Sequence, residues 1–478
     1  MRAASFVFAA LSMLGAASYL FYKSRGYITA VSMLLSFLLL LYGPAYLVFM
    51  LYYNQSSPIY RELAKSPYFE EATISLNLSL SILYLGCVIG IELAERIAGL
   101  RNERLSSALE GWNAQLLEGA PRFGYLLIVV NLGLAAFMIW VSIQENHLAI
   151  ISGYLGTASS QMARSEYRLL HAGSNFYFYR ILINSIAPFF LIWGILEGRL
   201  NRNYLLLTLS CALFFLTLFG RMETLSKAPV ALLFVQLGLA TLLCFRNRPR
   251  WQVVIGAFVA TTALFYPLIE FTIPETISQG TAVEFFLWRT FFISNEVLLE
   301  YFNAIPYYLP HTWGSNIRPI ALLLSMEFRP AYDDVSLLWH GKTGSTSNSM
   351  FIADAWADFS FVGVAVSSIL AGTVCSLIDV VFVSRGKSAI TIAILACSFV
   401  GIVDLMIGSV QSAMLSGGLA TVPLILLSIS RLSNISTRRR SAIGAGSPAP
   451  NQTVSKVNAD RQDRKASAAA RLIGDEIE

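Results

Sequence analysis

The stretch FSFVGVAVSSILAGTVCSLIDVVF, residues 359–382, contains one charged side chain, Asp379. As a helix it would run about 36 Å, enough to cross a hydrocarbon core of about 30 Å. Its apolar residues are continuous and do not alternate with period two. That excludes a transmembrane β-strand and leaves a helix that satisfies its own backbone in lipid. Ten further stretches read the same way: 5–22, 28–53, 73–93, 123–143, 177–196, 204–219, 229–245, 251–268, 389–406 and 414–429. The sixth, seventh and eleventh in chain order are short. The expected fold is an all-α polytopic membrane protein with about eleven (ten to twelve) transmembrane helices.

Composition agrees. The chain has 478 residues, 55% of them hydrophobic and 13% charged, and a mean hydropathy of +0.60. Soluble domains carry about 25% charged residues. A soluble multi-domain enzyme, a disordered chain and a disulfide scaffold are therefore excluded. The cysteines, Cys87, Cys211, Cys244, Cys375 and Cys397, all fall in apolar stretches without CxxC spacing. They read as small hydrophobes. Residues 5–22 also suit a cleaved signal peptide, with Arg2 before them and Gly15–Ser18 as small residues. Lys23 and Arg25 directly afterwards favour a retained anchor.

Basic residues set the orientation. Lys23/Arg25, Arg96/Arg101/Arg104/Arg122, Arg199/Arg202, Arg246/Arg248/Arg250, Arg385/Lys387 and Arg431/Arg438–Arg440 all fall on one side if eleven spans alternate. The positive-inside rule makes that side cytoplasmic and puts the N-terminus outside. Residues 1–430 then form the transmembrane domain, and 431–478 a disordered, basic cytoplasmic tail. Within 95–122, Ile97, Leu100, Leu105, Leu109 and Trp112 recur near helical spacing, as in an interfacial amphipathic helix.

Two outward loops are long, 144–176 and 270–352. Loops of this length tend to be functional. The larger is expected to carry short helices, including an apolar, aromatic one over 285–308 lying on or dipping into the membrane surface. All four histidines, His147, His171, His311 and His340, lie in these loops. Their spacing fits no metal-binding pattern, so no metal is expected. The outward cations include Arg180, Arg221, Lys227, Arg289 and Arg318. Arg221 and Lys227 bracket a short outward hairpin, where the positive-inside rule disfavours them. Each of these cations has a plain alternative: a lipid phosphate, snorkelling, or pairing with Glu223, Glu296 or Glu300. Asp354 and Asp358 are spaced i, i+4 and share a helix face. A carboxylate or His there could take a proton from a hydroxyl. The alternatives are ion pairing and helix capping.

With the basic hairpin 220–227, the late outer loop and the segment 348–363 (NSMFIADAWADFSFVG) in view, the pattern from about 120 to 430 resembles the Wzy-type oligosaccharide repeat-unit polymerases, relatives of the O-antigen ligases. Ser347-Asn348 stands where ligase-like relatives often carry His-Asn. The resemblance implies a GT-C-like fold and metal-independent glycosyl transfer between polyprenyl-diphosphate-linked oligosaccharides, with no cofactor and no nucleic acid. It implies the outer face of a bacterial inner membrane, a cytoplasmic C-terminus, and a flippase and a chain-length regulator as partners. It also implies catalytic roles for Arg221, Arg289, His340, Asp354 and Asp358, and substrate binding by Arg180, Lys227, Glu296 and Arg318. Arginines suit a diphosphate because the guanidinium grips phosphate oxygens in pairs. A ligase shares this logic. A lipid-linked oligosaccharide transporter is the alternative from another class, although its binding groups would be expected near the midplane in repeated halves.

Overall fold

A computed structural model describes residues 1–52, 57–99, 102–117, 119–120, 123–144, 174–222, 227–245, 247, 288–341 and 349–429. Every regular element among them is helical. Eight helices are long and apolar enough to cross a membrane, and Pro229–Phe245 is a shorter apolar helix. The protein is a multi-pass, all-α membrane protein. The expected span 251–268, most of the loop 144–176 with His147 and His171, Ser347-Asn348 and the tail 431–478 lie outside the described residues.

The chain divides into two units, Met1–Pro423 and Leu424–Glu478. Of the second, 424–429 are described and helical. The first contains α1 (Arg2–Ser24), α2 (Ala30–Tyr42), α3 (Pro44–Leu51), α4 (Pro58–Leu63), α5 (Phe69–Ile97), α6 (Asn102–Ala114) and α7 (Gly124–Gln144). It continues with α8 (Ser174–Ile181), α9 (Ala187–Leu200), α10 (Tyr204–Met222), α11 (Lys227–Phe245), α12 (Ile293–Ala304) and α13 (Arg318–Leu323). It ends with α14 (Ala331–His340), α15 (Phe351–Ser384), α16 (Ala389–Ile407) and α17 (Val410–Leu415). Leu182–Ile186 and Trp288–Phe292 are π-helical turns. The stretch 414–429 is not one continuous helix. The chain turns after α17 through Gly418, at φ +87°, and is helical again from 421.

The most extensive helix pair is α5 with α15. Small residues let their backbones touch. A Cβ on Gly90 would fall inside the radius of Ile369 O, and one on Gly372 inside that of Cys87 O. A Cβ on Gly86 would sit 2.8 Å from the Ser368 Cβ. The Thr373 hydroxyl donates to Gly90 O at 3.2 Å, and that of Ser376 to Ile91 O at 3.4 Å. Lipid provides no hydrophobic drive between helices, so close van der Waals packing and such bonds hold them together.

The helices alternate between two ends of the bundle. One end holds Lys23, paired with Glu92 at 3.1 Å and Glu95 at 2.5 Å, and Asp379, which caps α2 through the N–H groups of Ala30 and Val31. Ile28 bonds Asn247 there, and Gln115 accepts from the Lys387 N–H. Helix α6 lies at this end too, with two apolar residues turned into the bundle and away from lipid. Leu109 and Trp112 are buried, and Trp112 packs 4.5 Å from the Phe382 ring. The opposite end carries α3, α4, α12–α14 and α17. Here α12 is no surface helix: Leu298, Leu299, Tyr301 and Phe302 are buried. Asn295 donates to Leu41 O, and Asn303 to Leu63 O. Exposed apolar residues at this end include Leu322, Leu323 and Leu324, at the end of α13.

Gly90→Leu or Gly372→Leu is expected to destabilise the protein by about 3 kcal/mol. Gly15→Leu is expected to be silent, because nothing lies within 4 Å of a Cβ there. Monodisperse recovery after graded heating in mild detergent checks this. Equal loss in all three variants would contradict it.

Candidate functional site

Two polar clusters stand at the end opposite Lys23, on either side of α17. Gln411 of α17 reaches Asn316 O at 3.5 Å, and Leu415 O accepts from Ser185 at 3.5 Å. Both contacts are at the outer limit of hydrogen bonding.

The first cluster begins with Pro188. Proline has no N–H, so Asn184 O, four residues before it, loses its helical donor, and Ile183 O loses its own because the Ala187 N–H bonds Leu182 O instead. The π-helical turn Leu182–Ile186 sits there. The Arg221 guanidinium takes both carbonyls, at 3.0 and 3.3 Å, and also bonds Pro229 O at 2.8 Å and Gln236 Oε1 at 3.0 Å. Arg221 is 1% exposed. The sequence reading has it as an outer-face cation; the structure has it inside the bundle, holding a broken helix together. Asp404 lies within electrostatic reach of Arg221 and of Arg180. Arg180 is exposed. Lys227 opens α11, and its side chain lies outside the described residues.

The second cluster is built on a break in α15. Phe359 and Ser360 are non-helical, Ser360 at φ +55°. Trp356 O and Ala357 O, which residues 360 and 361 would serve in a regular helix, accept other donors. His311 Nδ1 lies 3.1 Å from Trp356 O and 3.2 Å from Ala357 O, and the Thr312 N–H donates to Ala357 O at 2.9 Å. Carbonyls only accept, so Nδ1 carries the proton and Nε2 of the neutral ring is the acceptor. Trp313, 63% exposed and at φ +48°, stands against the His311 ring. Asp358, fully buried, accepts from the Thr312 hydroxyl at 2.5 Å and the Gly314 N–H at 2.9 Å. Asn316 accepts from the Ala331 N–H through Oδ1, so its NH2 turns to Asp354 and Asp358, both of which it reaches. A Cβ on Gly363 would fall inside the radius of Ala355 O, so the break leaves no room for a larger residue there.

His340 lies beside the same cluster, its Nε2 3.2 Å from Glu300 of α12. Glu296, one turn earlier, is 2% exposed and accepts from Trp288 Nε1 at 3.3 Å. Burial pushes its carboxyl above the ordinary range, and neighbouring Glu300 adds to this. Arg289 is exposed on the π-helical turn 288–292, with no partner among the described residues. Arg318 is exposed at the start of α13, its guanidinium 5.8 Å from the Phe328 ring centroid.

The structure thus brings His340, Asp354 and Asp358 into one cluster, and Arg180 and Arg221 into another. Sequence reasoning assigned no role to His311, Thr312 or Asn316. Their place depends on the break at Ser360, which a serine in an apolar run does not announce. Among the described residues no three His, Cys, Asp or Glu side chains converge to hold a metal ion. No family model matches this chain, and neither a curated protein nor a solved structure matches it.

Arg221→Met is expected to cost about 3 kcal/mol by stranding buried carbonyls. Pro188→Ala in that background restores an N–H and is expected to recover about 1 kcal/mol. Chemical denaturation in detergent reads both, and no recovery would contradict the role given to Pro188. Glu296 supplies a pH dependence. Its folded carboxyl holds a proton above 4.5, the ordinary value, at which the unfolded chain releases it. Stability is therefore expected to fall as pH rises from 4.5 through the folded value. Glu296→Gln is expected to flatten that slope in melting midpoints taken across the range.

Proposed function

We propose that the chain joins oligosaccharide units carried on polyprenyl diphosphate, as a glycosyltransferase of the Wzy polymerase type with a GT-C-like body. One observation carries this reading. A cation-bearing cluster and a His, Trp and carboxylate cluster flank one short helix, at the bundle end away from Lys23, Arg199 and Arg385. By the positive-inside rule that end is extracytoplasmic, in a bacterial inner membrane, and the C-terminus is cytoplasmic. Eleven spans fit this orientation. Asn247 and Trp288 belong to opposite ends, as an alternation of eleven spans expects. A flippase that delivers the units and a chain-length regulator are the partners this reading calls for.

In the proposed reaction an acceptor hydroxyl attacks the anomeric carbon of the donor. The bond from that carbon to the diphosphate oxygen breaks, and the diphosphate leaves with the electron pair. Arg180, Arg289 and Arg318, all exposed, are suited to hold the growing negative charge. Arg221 acts as a positioning residue, because it fixes the turn that follows Arg180. His311 Nε2 takes the acceptor proton, and its Nδ1–H stays on the two carbonyls, which hold the ring in place. His340, paired with Glu300, is the second candidate base. Trp313 offers an apolar face to a sugar ring.

A transporter is the second reading, and it too has an observation in its favour. Several long helices are interrupted, at Gly43, at 182–186 and at 359–360, as in proteins that bind substrate on broken helices. Purified protein in liposomes, given a polyprenyl-diphosphate-linked oligosaccharide and no gradient, separates the two. Longer glycan with released polyprenyl diphosphate is expected. His311→Ala is expected to lower turnover about 100-fold or more, and Arg180→Ala to weaken it. Movement of unaltered units across the bilayer would overturn the proposal, and transfer of finished glycan to another acceptor would indicate a ligase.

A further inference from the structure

The second cluster has a chemical bias that the proposed reaction does not require. Three helices contribute to it: Glu300 from α12, Asp333, Ser336 and His340 from α14, and Asp354 and Asp358 from α15. The three helices pack on one another, and Tyr301 lies within electrostatic reach of Glu300, Asp333, Asp354 and Tyr332. Several of the oxygens have nothing to accept from or donate to. Asp333 Oδ1, Asp354 Oδ1, Asp358 Oδ2 and the Ser336 and Ser349 hydroxyls lack a hydrogen-bond partner. Ser336 and Asp358 are fully buried. Ser336 precedes His340 by one helical turn and so shares its face. His340 reaches Glu300, so the Ser336 hydroxyl is aimed at the same acidic interior.

Buried acceptors are stable only when donors meet them. The described protein brings few. His340 is the basic group against these carboxyls, and Arg329 turns outward to Asp334 at 2.7 Å. The carboxyls do not converge as metal ligands do. An organic ligand with several O–H or N–H groups would supply the missing donors. A ligand carboxylate would bring only acceptors, and like charge besides.

We infer that the acceptor glycan bound among α12, α14 and α15 is neutral or amine-bearing, and that glycans carrying uronic acids are excluded. The inference rests on the glycosyl-transfer reading and narrows its substrate. Discrimination comes from acceptor-only groups, so exchanging a carboxylate for its amide supplies donors and removes repulsion without changing shape.

The test is binding, independent of turnover. Purified full-length protein in lipid nanodiscs is titrated with cellobiose, with the glucosamine dimer and with digalacturonate. Tryptophan emission is followed, because Trp339 and Trp356 stand at the site. Cellobiose and the diamine are expected to bind, with digalacturonate at least about tenfold weaker. Glu300→Gln and Asp354→Asn are each expected to narrow that gap. Ser336→Ala, which keeps every charge, is expected to weaken cellobiose and leave the ratio between neutral and acidic probes in place. Digalacturonate binding as tightly as cellobiose to the unaltered protein would overturn the inference and leave the transferase reading standing. So would an unchanged gap in both amide variants once folding is verified by melting. Binding of none of the three sugars would overturn the inference and the glycan reading together.

Discussion

The close approach of α5 and α15 is the constraint on which the other elements depend. Membrane helices gain little by hiding apolar surface from lipid, so they must find backbone-to-backbone contact or polar bonds instead. Gly86, Gly90 and Gly372 give the contact, and Thr373 and Ser376 give the bonds. Helix α1 packs along α5, and α16 and α2 along α15. With α15 held so tightly over its later turns, its first turns can be broken without loosening the bundle. Those first turns carry Asp354 and Asp358.

A second rule follows from the same solvent. Every broken helix exposes carbonyls that lipid cannot satisfy. The protein meets each break with a polar side chain from elsewhere. Arg221 serves the break before Pro188, His311 and Thr312 serve the break at Ser360, and Asn295 serves Leu41 O beside the break at Gly43. Polar residues inside the bundle thus have backbone work, and this must be set aside before chemistry is assigned. Arg221 illustrates the point. Its burial and its bonds to carbonyls describe a structural guanidinium, whereas Arg180 remains at the surface of the same cluster.

What was legible in the sequence follows the range of the interaction. Bilayer-length apolar runs are local, and the helices expected from them at 5–22, 73–93, 204–219 and 389–406 are present, as Arg2–Ser24, Phe69–Ile97, Tyr204–Met222 and Ala389–Ile407. The i, i+4 spacing of Asp354 and Asp358 also placed them together. The role of Arg221 was not legible, because it depends on carbonyls thirty-seven and thirty-eight residues away. The helix expected over 285–308 to lie on or dip into the membrane surface is instead packed among other helices over Ile293–Ala304, for a related reason. Its aromatic and apolar residues look the same whether they meet lipid or, as α12 does, other helices. Small residues are equally silent. Gly15 and Gly90 read alike, yet only Gly90 lies against another backbone.

A charged fraction of 13% leaves few ionisable groups to explain, and several of the described ones have structural roles. Lys23 pairs with Glu92 and Glu95, Asp379 caps α2, and Arg221 closes a helix break. The carboxyls among α12, α14 and α15 are different. Asp358 spends one oxygen on Thr312 and Gly314 and leaves the other without a donor; Asp333 and Asp354 each do the same with one oxygen. Polar atoms left open together, next to a histidine whose tautomer is fixed and an exposed tryptophan held at positive φ, are best explained by a ligand that completes them.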